Sequence, residues 1–470
     1  MEAIDLAAER SFGERHFGGC DLGDERLTRR VVATADAFMR HPGGTFPDKL
    51  SDPAMLKGFY RLANNKKVKR QNLIAMHHRY TLERMRTVNG VVLVLHDTTE
   101  LVFGGLDVDD LGPVGNGSEQ GLLCHNSLAV DYDGHEVIGL ANQVLQRRRE
   151  VPQNESARQK REHPDRESRL WVKGVAGMPR RPEGAMWIHV ADRGSDTFEF
   201  IDWAEREQHL YCIRSKSNRG IEVCVDGEWK EKKLHDYART LATLSHRTVE
   251  VQGRDGGKSR KAKVRVAASE LRLRPPVHPN RGEHGDEPLR AWVVHVLEEK
   301  PPKGVEPLEW ILLTNVEVRT AEDAEARVDW YCSRWIIEEY HKAQKTGCGV
   351  ESQQFTTRKA LEVAVAILSV VATQLLRLRD LARSEAADRT PATEVVDEDY
   401  VLALTARRSR NRERRADLTV REFLYGVARL GGHQGRRHDG PPGWLVLWRG
   451  WMKLQLLVEG ARGAKLERCG

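Results

Sequence analysis

Two short runs constrain this chain most. Val91 to Leu95 (VVLVL) and Trp187 to Ala191 (WIHVA) are almost continuously apolar, and each leads into a carboxylate, Asp97 and Asp192. Unbroken apolar runs of this length read as central strands buried on both faces, which requires a sheet covered by other layers. Side chains that follow such strands emerge at the carboxyl edge of the sheet, where open α/β folds place their sites. The spacing therefore predicts an α/β protein with two aspartates at one sheet edge.

The rest of the chain supplies the covering layers. Residues 1 to 85 carry helical apolar spacing in LTRRVVATADAFM and PAMLKGFYRLAN. They are rich in cations, including Arg26, Arg29, Arg30, Lys57, Arg61 and Lys66-Lys67, a composition common in small DNA-contacting helical domains. Leu122 to Val130 and His135 to Leu145 continue the strand pattern, and Arg147 to Arg169 reads as charged helix or loop. From about 211 to 315 the period is two (LYCIRS, IEVCV, RTVEVQ, KVRVAA, ELRLR, AWVVHVL, WILLTN), with a turn at Asp226-Gly227, so an inserted antiparallel β-region is predicted. Thr320 to Asp323 offers a capping box for a helix to Lys345, with Gly347 as its stop, and Leu361 to Leu378 reads as a core helix. Residues 384–398 are acidic and weakly apolar, a linker by composition. Residues 399–470 are helical again, interrupted at Gly431-Gly432 and Gly440 to Gly443, with Trp444, Trp448 and Trp451.

Composition excludes several classes. The seven cysteines form no CxxC pair, so neither a zinc site nor a disulfide framework is expected, and a reducing cytoplasm is the default. The N-terminal residues lack an apolar core, and the longest uncharged run, Val363 to Leu376, is 14 residues, too short to span a bilayer. Apolar content of 40% and charge of 31% fit a soluble globular protein without a membrane partner. Net charge is only +6, but cations cluster at Arg147 to Arg149, Arg158 to Arg161, Arg180-Arg181, Lys258 to Arg265 and Arg407 to Arg415, which points to a polyanionic partner.

The chemistry concentrates at Tyr331 to Lys345, YCSRWIIEEYHKAQK. On a continuous helix Tyr331, Arg334, Glu338 and Lys345 fall within an arc of about 60°. Alone, such a stripe also describes a solvated charged face, since Arg334 and Glu338 are an i,i+4 pair. Either aspartate alone also describes a cap or turn residue. Together, Asp97, Asp192 and Glu338 form a hard oxygen set able to hold two divalent ions such as Mg²⁺, while the phenol and the cations suit phosphate oxygens.

Tyr331-x2-Arg334-x3-Glu338-x6-Lys345 resembles the YREK motif of bacterial cut-and-paste DDE transposases, the IS-four group of insertion sequences. The resemblance extends to DLGDERL near the N-terminus, HDTTEL around Asp97, ESRLW at Glu167 to Trp171, DRGSD around Asp192 and RSK at Arg214 to Lys216. It also includes PPKGVEPLEWILLT at Pro301 to Thr314, and ARLGG with LWRGW near the C-terminus. It implies an RNase H-like catalytic core at 86–383 with a β-insert at about 211–315. An end-binding helical domain at 1–85 precedes it, and a helical dimerisation domain at 399–470 follows. It implies catalytic and metal-binding Asp97, Asp192 and Glu338 with two Mg²⁺ or Mn²⁺, cleavage through a DNA hairpin, and strand transfer. The implied partners are transposon-end DNA, target DNA and a second copy in a synaptic dimer, within the bacterial cytoplasm and on the nucleoid when DNA is bound.

By the same resemblance Tyr331, Arg334 and Lys345 bind phosphates, with Arg193, Arg214, Lys216 and Lys342 as further backbone contacts. Trp310 receives a flipped base, although core packing would also explain a tryptophan there. A metal-dependent nuclease without strand transfer and a catalytically silent DNA-binding inhibitor are the alternatives. The intact carboxylate set argues against the inhibitor.

Overall fold

The protein is described here from a computed structural model covering residues 10–105, 108–251, 260–276, 284–408, 416–436 and 439–469. Most of the basic tract Arg407 to Arg415, and Lys258 of the other tract, lie outside these residues.

Twelve strands form one mixed sheet. They are β1 (Val91–Val102), β2 (Gly112–Val114), β3 (Glu119–Asp131), β4 (Glu136–Gln146), β5 (Met186–Ala191), β6 (Leu210–Arg214), β7 (Gly220–Val225), β8 (Glu228–Lys233), β9 (Ser245–Val251), β10 (Arg260–Leu273), β11 (Leu289–Glu298) and β12 (Glu309–Thr314). The order is β2-β3-β1-β5-β6-β12-β11-β10-β7-β8, with β4 on β3 and β9 on β10. β1, β5 and β6 are parallel; β3 and β4 add antiparallel on one side. This mixed α/β arrangement is consistent with an RNase H-like core. LYCIRS departs from the expectation of an antiparallel insert. It forms β6, paired parallel to β5 (His189 with Tyr211), because its continuous apolar run buries both faces. The following strands extend the core sheet through β12.

Helices Phe12–Phe17, Glu25–Arg40, Phe46–Lys49, Pro53–Asn64 and Arg70–Thr87 precede the sheet. Ser11 and Glu14 form a capping box, and Asp24 and Asp52 cap the next long helices. The helix Arg358–Arg383 is the centre of the core. It is long and apolar enough to cross a membrane, but 94% of its apolar window is buried within the protein. It packs on β4 and on helices from both ends of the chain, Glu25–Arg40, Pro53–Asn64, Arg70–Thr87, Val420–Leu430 and Trp444–Cys469. Residues 384–398, expected to be a linker, instead form two 3₁₀ turns with Ala387, Ala392, Val395 and Val396 buried. Those few apolar residues dock the segment despite its acidic composition.

Tyr331 to Lys345 is not one continuous helix. The first helix, Ala321–Cys332, opens on the expected Thr320 and Asp323 capping box. The Ser333 hydroxyl donates back to the Asp329 carbonyl at 2.9 Å, a bond that bends helices. The chain then tightens to i→i+3 bonds, Arg334 N–H to Tyr331 O and Ile337 N–H to Arg334 O, before the helix Trp335–Lys342. A π-helical turn, Ala343–Gly347, carries Lys345. The predicted single stripe is therefore divided among three segments.

Candidate active site

Strand register brings the two aspartates together. The parallel pairing of β1 and β5 ends at His96 with Ala191, so Asp97 and Asp192 are the next residues on adjacent strands. β1 itself runs on to Val102, paired only with β3; Asp97 stands opposite Asn126. It thus sits where β1 leaves its parallel neighbour rather than at a strand end. Asp192 does follow its strand directly and caps the short turn Arg193–Ser195, its Oδ1 accepting from Gly194 N–H at 2.7 Å.

Arg334 joins Glu338 to this pair. Its guanidinium donates to Glu338 Oε1 at 2.5 Å and lies 3.8 Å from Asp97 Oδ2. His341, one turn beyond Glu338, places Nδ1 3.8 Å from the same Asp97 oxygen. Burial pushes the Asp97 carboxyl up to about 7; Arg334 opposes the shift, and the negative charges of Asp192 and Glu338 add to it. Crowded carboxylates of this kind call for a cation. Among the described residues, no group of three or more His, Cys, Asp or Glu side chains is gathered closely enough to hold a metal ion. Arg334 supplies the positive charge between Asp97 and Glu338. The donor set still fits a hard divalent ion in kind, with three carboxylates and no thiolate, once Arg334 yields its place.

The remaining expected residues divide into two groups. Tyr331 is buried and meets Trp310 edge to face, ring centroids 5.1 Å apart. Arg214 reaches the Tyr331 hydroxyl and donates to Glu309 O at 2.9 Å. These residues and Arg334 line a groove of about 1110 Å³ that continues to Trp335 and Arg383. Trp310 is only partly buried, which leaves part of its ring at the groove. Arg193 and Lys216 are exposed beside this edge, on the loops after β5 and β6. The other group points elsewhere. Lys342 lies over the Trp335 ring at 5.0 Å. Lys345 pairs with Glu351 at 3.1 Å, and Glu351 also accepts from Val102 N–H.

Three residues that the sequence did not single out complete the site. Asn126 donates to His341 Nε2 at 3.1 Å, which leaves the ring proton on Nδ1, facing Asp97. Gln143 Nε2 donates both to Asn126 Oδ1 and to the Ser369 hydroxyl of the core helix. Burial pushes His341 down to about 3, so it is neutral. Asn126 stands opposite Asp97 and shares its face, a relation visible only once the strand register is known.

The chain matches two family models: transposase DNA-binding over residues 9–68 and transposase DDE domain over residues 188–374. The second match includes Asp192 and Glu338; Asp97 lies before it and is joined to them by the geometry above. DDE domains use divalent metal ions. A transposase DNA-binding domain and a transposase DDE domain on one chain support an enzyme that acts on DNA phosphodiester bonds.

Proposed function

We propose that this protein excises a mobile element by cutting each end through a hairpin and then joins the 3′ ends to target DNA. The observation that carries the reading is the side-by-side placement of Asp97 and Asp192 with Glu338 linked to them through Arg334. Asp97, Asp192 and Glu338 would hold Mg²⁺ or Mn²⁺, two ions per site. When bound, these ions supply charge neutralisation at the phosphodiester and lower the pKa of the attacking hydroxyl.

The chain's own residues do the rest. Arg334, released from its carboxylates, turns to phosphate oxygens beside Tyr331 and Arg214, and Arg193 and Lys216 hold the backbone further along. Lys342 and Lys345 join them after leaving Trp335 and Glu351. Water first cuts one strand and frees a 3′-hydroxyl. That hydroxyl attacks the opposite strand and closes the hairpin, and Trp310 receives a base extruded at the bend. Water reopens the hairpin, and the 3′ end then attacks target DNA.

The resemblance of Tyr331, Arg334, Glu338 and Lys345 to the YREK pattern supports membership of the IS-four group, with activity in the bacterial cytoplasm on nucleoid DNA. Residues 1–85 grip the transposon end, residues 86–383 form the catalytic unit, and residues 399–470 carry the contact of a synaptic homodimer. A gel assay with Mg²⁺ and the inverted repeats flanking the coding region tests this. A hairpin band at the element's end is expected. Nicks without end specificity would instead mark a nuclease, and a shift without cleavage a DNA-binding inhibitor.

A further inference from the structure

Asp196, four residues beyond Asp192, has a buried side chain and takes no part in the chemistry above. A buried carboxylate needs a full set of donors, and Asp196 has one drawn almost entirely from another loop. Its Oδ2 accepts from Lys216 N–H at 2.6 Å, Ser217 N–H at 2.8 Å and the Ser215 hydroxyl at 3.1 Å. Its Oδ1 pairs with the Arg219 guanidinium, which also donates to the Asp196 carbonyl at 3.0 Å. On its own side Asp196 is one short turn from Asp192, fixed by Ser195, whose hydroxyl donates to the Asp192 carbonyl at 2.8 Å.

We infer that Asp196 is a positioning residue that holds the Ser215–Ser217 loop, and with it the exposed Lys216, in fixed relation to the Asp192 turn. The inference rests on the reading of Lys216 as a phosphate contact. Two backbone N–H bonds to one carboxylate oxygen set the direction of the chain at Lys216, and the Arg219 pair holds that carboxylate in place. The arrangement couples where the DNA backbone is held to where it is cut.

The test is a double-mutant cycle on the full-length protein, read as affinity for a duplex carrying the flanking inverted repeat across a salt series. Lys216→Ala alone should weaken binding about tenfold and lower the slope of log affinity against log salt by about one. In an Asp196→Asn background, where the loop is no longer directed, Lys216→Ala should cost less than twofold and leave the slope unchanged. A full tenfold loss in that background overturns the positioning role, because general destabilisation leaves the two effects additive. If Lys216→Ala has no effect in the otherwise unaltered protein, the phosphate contact itself fails, and the inference with it. Should Asp196→Asn not fold, Arg219→Gln removes only the counter-ion, and the same cycle is read on it: non-additivity supports the role and additivity overturns it.

Discussion

The two faces of β1, β3 and β5 carry opposite chemistry within a few ångströms of each other. One face presents Asp97, Asn126 and, across from them, Arg334, Glu338 and His341. The other presents a row of buried imidazoles. His209 Nδ1 meets His189 Nε2 at 3.2 Å, His189 Nδ1 meets His96 Nε2 at 2.8 Å, and His96 Nδ1 meets the Ser127 hydroxyl at 3.1 Å. The Ser127 hydroxyl also reaches Gly174 O, so every ring in the row is satisfied with its proton on Nδ1. His125 stands beside this row, bonded to Thr98 and edged by Trp171. Strand alternation alone separates the two sets, because His96 and Asp97 are neighbours that point to opposite faces. Burial drives Asp97 on the one face and the histidines on the other towards neutrality. The histidines become neutral and bond one another, whereas the carboxylates keep a guanidinium. The imidazole face is a finished structural ladder, and the carboxylate face holds a cation that another could replace.

Breaking the carboxylate face should have the largest effect. Asp97→Asn should reduce end cleavage by at least about 10³-fold, since an amide is a poor ligand for a hard cation. The same variant separates the faces by pH. Asp97 titrates near 4 when unfolded and near 7 when folded, so its contribution to stability falls as pH rises from about 4 to 7. The histidines have the opposite sign. His125 is held down at about 3, and His96 and His189 well below their usual value, so stability falls as pH drops below about 6.5. In metal-free melting curves Asp97→Asn should gain over the unaltered protein at pH 8 and match it near pH 4. Equal melting temperatures at both would mean that the carboxylate is not strained by its burial.

Breaking the imidazole face should cost stability rather than chemistry. His189→Ala strips His96 and His209 of partners and should lower unfolding free energy by about 3 kcal/mol. Cleavage by the folded fraction should stay within a few-fold of normal; a loss like that of Asp97→Asn would draw the imidazole row into the reaction. Trp310→Ala is the subtlest change. The first nick should proceed while hairpin yield falls severalfold, and a normal yield would leave the partly buried ring as packing against Tyr331.

How far these features could be read from residues alone follows from their range in sequence. The apolar runs before Asp97 and Asp192 revealed two strands, and their shared pattern anticipated a shared edge. The break after Cys332 was hidden because helical periodicity runs through it unbroken. β6 resembles its antiparallel successors in residue types, and residue types do not report the direction of pairing. Asn126, His341 and Asp196 act through partners up to 215 positions away, and no local pattern marks such a pairing.

The proposed reaction requires Glu338 to join Asp97 and Asp192 in one metal-holding set. Glu338→Gln changes one oxygen to an amide nitrogen and keeps the side chain's size. In Mg²⁺ with the terminal repeats, this variant should bind end DNA as the unaltered protein does and give neither nick nor hairpin. Cleavage within tenfold of normal, with end binding intact, would contradict the claim.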